Sequence, residues 1–379
     1  MIQSALIEEN IQCNRDTRID VFRALALLTV FINHIPDTVY EHFTHRNFGF
    51  SDSAEACVLI SGIAFGLSHR CNTDSYLRIG CRAFTLYTAH ILMTLVTLAI
   101  FCGAALFMHH PEFFSMINIE PVIREPAKAF FGIVTLGHQL GYNNILSLYV
   151  ILMLTTPLML FLIRVNTSLL LILSGTLYLL AGLFHIAPPN YPTKGVWFLN
   201  PLSWQFLFAI GLSATIHIKR HGKIPYHPVL LVGAAGYLVL SCIWVRWNLW
   251  WIDISLGLPR TLTGFNKTYI SLPRLVHILS LAYVITVIPT FSSIAQTSRR
   301  NPLAVLGRHS LPVFITGTMF SMVAQVLKKI NVRDILYDTL LITIGIIIQL
   351  VLAYYLEWLD TINRQEKNNE KKKYLMHSD

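Results

Sequence analysis

The chain has 379 residues, 54% of them hydrophobic and 13% charged, with a formal net charge of +9. A soluble domain carries about 25% charged residues, and here apolar runs recur from end to end with no long polar region between them. That excludes a string of soluble domains and predicts an all-α, polytopic integral membrane protein, one transmembrane domain over 1–379, embedded in a lipid bilayer.

The N-terminal stretch Met1–Asn10 lacks a basic n-region and an apolar h-region, so no cleavable signal is expected. Residues 1–17 read as a cytoplasmic segment. About ten transmembrane helices are predicted, beginning near Ile19, Asp52, Leu77, Asn144, Ser168, Leu202, Val229, Pro273, Leu311 and Tyr337.

The first span carries Arg23 and ends on His34. Ionisable side chains within a membrane helix are costly and tend to line a pathway or a site. Eleven residues at ~100° each bring both onto one helix face, about 16 Å apart. That face presents a fixed cation at one depth and a titratable base at another.

A short loop follows, and Ser51-Asp-Ser-Ala-Glu55 opens the second span. It must return that span near the end of the first, so His34, Asp52 and Glu55 are expected on one side and in contact. A histidine beside a carboxylate is the arrangement of a supported general base. Asp-x-x-Glu before an apolar run is equally a capping box, with Asp52 as N-cap. Gly62-x-x-x-Gly66 reads as a helix-packing motif.

Arg78 and Arg82, four apart, share one face and suit a phosphate-bearing ligand; ordinary anchoring by positive charge accounts for them equally well. His69-x-x-x-x-Asp74 formally matches a soluble acyltransferase pattern, but it lacks the companion block and lies in a turn, so it reads as chance. The span from Leu77 runs to about Met108, long enough to tilt. The tryptophan-rich segments 195–205 and 244–251 read mainly as an interfacial belt, with Trp204 a candidate sugar-stacking face. The basic tail, 362–379, reads as a solvated cytoplasmic end beside anionic lipid.

Lysine and arginine place both termini in the cytoplasm: Arg15, Arg18, Arg70, Arg78, Arg82, Arg164, Lys219, Arg220 and Arg299 then fall on the inner side. The net charge is thus explained with no nucleic-acid partner. The six cysteines form no Cys-x-x-Cys pair, so free thiols and no metal are expected.

Arg23, ten residues, then His34 resembles the signature of the acyltransferase-3 superfamily of membrane acyl-CoA transferases. More closely, the chain resembles the OpgC family. The blocks are Arg18–His34, Arg46–Ala56, Asn200–Gln205, Leu272–His277 and Asn301–Ser310, spread over nearly the whole chain. One departure favours that branch: Ala-Cys-Val-Leu-Ile-Ser-Gly62 stands where the wider superfamily has an aromatic pair before Val-Leu-Ser-Gly.

The resemblance implies an acyltransferase-3-like fold in a bacterial inner (cytoplasmic) membrane. It implies O-acyl transfer, succinyl in this family, from cytoplasmic acyl-CoA (succinyl-CoA) to a hydroxyl of an osmoregulated periplasmic glucan. Acyl-CoA is then a co-substrate and no cofactor is tightly bound. His34, Glu55 and Asp52 are the expected catalytic residues, and Arg23, Arg78 and Arg82 the expected donor-binding ones. Arg46, Asn47, Trp204 and Arg274 are candidates for acyl or sugar binding. Transfer of acetyl or another acyl group to a different envelope glycan remains open, as does a homo-oligomer. The competing class is a proton- or ion-coupled transporter, although no matched pair of Gly/Pro-broken spans supports it.

Overall fold

A computed structural model describes residues 16–68, 74–253, 255, 257–330 and 334–376. The N-terminal segment with Cys13 and Arg15 lies outside the described residues, as do Arg70, Cys71 and the His69 of the chance motif. Among the described residues the architecture is helical, with one isolated β-bridge between Pro189 and Val196.

The helices that frame the site are α1 (Arg18–Asn33), α2 (Ser53–Ser68), α3 (Asp74–Phe107), α4 (Asn144–Val165), α5 (Thr167–Leu183) and α6 (Pro201–His221). They continue with α7 (Pro228–Arg246), α8 (Leu272–Val287), α9 (Pro289–Ala295), α10 (Pro302–Arg308), α11 (Ser310–Ile330) and α12 (Ile335–Met376). A helix starts within a few residues of each predicted position. The expectation of about ten spans is nevertheless not met by length. Among the described residues six helices are long and apolar enough to cross a membrane, seven if α8 and α9, bent by 84°, count as one. The shortfall has local causes. α1 gives its first turns to Arg18, Asp20 and Arg23, and α2 and α5 are apolar but short.

Several starts follow from capping chemistry. Asn200 and Asn301 each accept a hydrogen bond from the backbone N–H two residues on, at 3.1 and 2.9 Å, and each precedes a proline at the first helical position. An asparagine oxygen satisfies an orphan N–H, and proline lacks only a donor the helix start cannot use. These two Asn-Pro pairs are therefore explained by helix initiation.

The central packing joins α2 to α6. A Cβ on Gly62 would lie 2.3 Å from the Phe208 carbonyl oxygen, and one on Gly211 would lie 2.5 Å from that of Leu59. Gly66 sits closely on Thr215 as well. The Gly-x-x-x-Gly motif is thus a close helix-to-helix contact, as small residues permit. Gly62→Ala must push the two helices apart at backbone atoms. The expected loss is about 1–3 kcal/mol, read as a lower thermal midpoint in detergent with no comparable change for alanine at Gly233, which has open space around it.

α1, α2, α3, α4 and α11 enclose a cavity lined by Arg23, and α1 runs unbroken from there to His34. α12 continues to Met376, so the basic tail begins as an extension of the last helix.

Candidate active site

At the Arg23 end a cavity of about 690 Å³ opens between α1, α2, α3, α4 and α11. Arg23, Arg78 and Arg82 all line it, so the three arginines singled out from spacing do converge. Arg23 is held by the Gly307 carbonyl at 3.1 Å and Asp20 at 3.5 Å. α10 comes that close because residue 307 has no side chain: a Cβ there would sit 1.7 Å from the Asp20 carbonyl oxygen.

Two residues that reasoning from sequence left without a role, Arg308 and His309, line the same cavity. Both are tethered to Glu357 of α12, His309 at 3.1 Å. They lie in the Asn301–Ser310 block, which was the available signal. Much of the rest of the cavity wall is uncharged: Cys57, Ser61, Tyr149, Ile145 and Val30. The Ser61 and Tyr149 hydroxyls pair at 3.1 Å.

His34 lies one helical turn beyond Val30. Its carbonyl accepts a hydrogen bond from the Gln325 side-chain amide at 2.8 Å, which fixes the end of α1 to α11. Its ring stacks on Tyr142, with centroids 3.8 Å apart and planes within 15°. Nδ1 is buried without a hydrogen-bond partner. Tyr142 reaches this position on the turn Gly141–Asn143, where Gly141 has a φ of +49°. The Asn143 amide ties that turn to Thr97 at 3.3 Å and Thr94 at 3.5 Å on α3.

The expected contact between His34 and the carboxylates is not formed. Among the described residues no hydrogen bond or ion pair joins His34 to Asp52 or Glu55. The carboxylates have stronger partners. Glu55, fully buried, takes Arg274 Nη2 at 2.5 Å and Nε at 2.7 Å; Asp52 pairs with Lys267 and stands 3.5 Å from Arg274. The capping box is also realised. Asp52 accepts from the Ala54 N–H at 2.8 Å and Glu55 from the Asp52 N–H at 3.0 Å. Asp52 and Lys267 still act on His34 through space.

The remaining candidates have partners of their own. Arg274 is committed to Glu55 and does not stand open to an acyl carboxylate. Trp204 is fully buried, and its indole N–H donates to the Lys267 carbonyl at 3.2 Å. It positions Lys267 and offers no face to a sugar. Arg46 pairs with Glu41 at 3.0 Å, and the Asn47 amide donates to the Glu41 carbonyl at 2.7 Å, so both brace the return loop. That loop also carries His45, whose imidazole burial holds below its ordinary pKa. His45 faces Ser51 at 3.4 Å, and the Ser51 hydroxyl meets His277 Nδ1 at 2.7 Å.

The family model described as OpgC protein matches residues 15–361, which takes in every element of this site. The chain belongs to the OpgC family. No curated protein matches the chain, and no solved structure does. Within this OpgC chain, Lys267 is the site residue least marked by any sequence pattern. It is 215 positions from its partner Asp52 and sits in a loop with no motif around it.

Proposed function

We propose that this OpgC protein is a membrane O-acyltransferase of the acyltransferase-3 type. The donor is acyl-CoA, entering at the arginine-lined end, and the acceptor is a glucan hydroxyl reaching His34 from the opposite end. The observation that carries this reading is the single cavity that begins among Arg23, Arg78, Arg82 and Arg308 and continues along α1 to Val30, one turn short of His34. Guanidinium groups suit phosphate oxygens bidentately, and the uncharged wall beyond them suits a pantetheine arm.

In this mechanism a His34 ring nitrogen takes the proton from the sugar hydroxyl as its oxygen attacks the thioester carbonyl. The C–S bond breaks, and the departing thiolate recovers the proton from the imidazolium. Tyr142 holds the ring plane and places its π-face against the transient cation, an arrangement worth about 0.5–2 kcal/mol. Asp52 and Glu55 are positioning residues that hold Lys267 and Arg274 beside the reaction centre. Lys267, paired with Asp52 but 25% exposed, is the more accessible of the two cations and shares its charge with the free carboxylate of a succinyl group. With the arginines facing the cytoplasm and His34 the periplasm of the bacterial inner membrane, donor and acceptor never share a compartment.

The test is transfer of labelled succinyl from CoA to purified glucan by the isolated protein, together with the mass of periplasmic glucans in cells with and without it. Loss of a succinyl-sized increment in the deletion is expected; glucans of unchanged mass overturn the reading. A second measurement probes the path itself. Cys57 lines the cavity between the arginines and His34, so a small methanethiosulfonate reagent should label it slowly, and CoA should block the labelling. Labelling at the same rate with saturating CoA places the donor elsewhere.

A further inference from the structure

Arg308, His309 and the first turn of α11 form a corner of the donor cavity to which the mechanism above assigns no particular phosphate. The side chain of Arg308 is only 12% exposed. One end of its guanidinium is fixed by Glu357, and Nη2 donates to the Arg299 carbonyl at 3.1 Å. Its Nε–H is buried with no partner. Held in the cavity wall by Glu357 and the Arg299 carbonyl, the guanidinium is a fixed cation beside which an anion can lie. Beside it, Ser310 and Leu311 bring the start of a 21-residue helix to the cavity wall. Pro312 has no N–H and the Val313 N–H is taken by the His309 carbonyl at 3.1 Å, so the helix start offers the N–H groups of Ser310 and Leu311 and the positive end of its dipole.

Depth then separates the arginines. Arg78 and Arg82 are exposed, at the mouth, whereas Arg308 is nearly enclosed. In a coenzyme A donor the pyrophosphate lies between the pantetheine arm and the nucleoside, and the 3′-phosphate lies at the far end. With the arm directed inward past Cys57 and Ser61, the pyrophosphate comes to rest at the deeper cations.

We propose that Arg308, His309 and the N-terminus of α11 are the pyrophosphate-binding wall of the donor cavity, with Arg78 and Arg82 left for the 3′-phosphate at its mouth. This rests on the acyl-CoA reading above. Glu357 acts as the anchor that keeps the Arg308–His309 corner turned to the cavity.

The experiment is calorimetric binding of CoA and of dephospho-CoA, which lacks the 3′-phosphate, to the full-length protein in detergent. Arg308→Gln should weaken both ligands equally, by about tenfold or more, the size of one lost charged hydrogen bond. Ser310→Asp should do the same while keeping the fold, because a carboxylate in the first turn stabilises a helix as it repels phosphate. Arg78→Gln should weaken CoA alone. The proposal is overturned if both variants at the corner bind CoA as wild type does, or if their defect disappears with dephospho-CoA. Should wild type bind neither ligand, inorganic pyrophosphate becomes the probe. Binding that Ser310→Asp abolishes keeps the corner as a phosphate site and removes the acyl-CoA reading; no binding by wild type removes both.

Discussion

Replacing His34 with glutamine is expected to lower acyl transfer by about 10²- to 10⁴-fold, the range a positioned general base contributes, while CoA binding at the arginine end stays intact. Glutamine keeps a polar group at the end of α1 but cannot carry a proton between hydroxyl and thiolate. The backbone contact that fixes this position is the His34 carbonyl to Gln325 at 2.8 Å, which any residue retains. Thermal stability should therefore change little. Tyr142 supplies the control. Tyr142→Phe preserves the stacked face and should keep most of the rate, whereas Tyr142→Leu should lower kcat with KM for the donor unchanged. Wild-type turnover in His34→Gln would remove His34 from the chemistry. A relay through an acyl-imidazole at His34 differs in one observable: labelled acyl group retained on His34 when acceptor is withheld.

The axis of this site was legible in the sequence because it lies along one helix. Arg23 and His34 are placed on one face by the helical repeat alone, and Arg78 and Arg82 by the same rule on α3, so the convergence of the three arginines on one cavity needed only α1 and α3 to border it. The Asp52–Glu55 capping box was equally local. What could not be read is what crosses between distant segments. His34 stood across a short loop from the carboxylate pair, and that return suggested contact. The fold supplies two cations from the far side, Lys267 and Arg274, and a cation at 2.5–2.7 Å outcompetes a neutral ring. Trp204 failed for a related reason. An outer-loop tryptophan and a buried one have the same local pattern, and only the packing around α6 decides between them. The number of spans is not fixed by apolar runs, because such a run records burial in protein or lipid alike.

The second large effect concerns that carboxylate cluster. Arg274→Met should be the most destabilising single change in the site, because it leaves Glu55 fully buried without its partner. Breaking a buried pair from one side costs about 3–5 kcal/mol, whereas neutralising both partners is often near neutral. Glu55→Gln combined with Arg274→Met should accordingly recover most of the lost stability, and the glutamine side chain keeps an oxygen to accept the Asp52 N–H. Activity separates two roles for the cluster. If Arg274 and Glu55 serve only to fasten α8 to α2, the double variant regains wild-type turnover along with its melting temperature. If they hold charge beside His34, stability returns and kcat does not, with KM for acyl-CoA unaffected because the donor cavity is untouched. The second outcome is expected. A structural clamp has no need of charge at this position, where Leu or Met would pack at lower cost, and Lys267 and Asp52 extend the same network toward His34. On the proposed mechanism the cluster acts as a preorganised field around His34 and not as its hydrogen-bond partner.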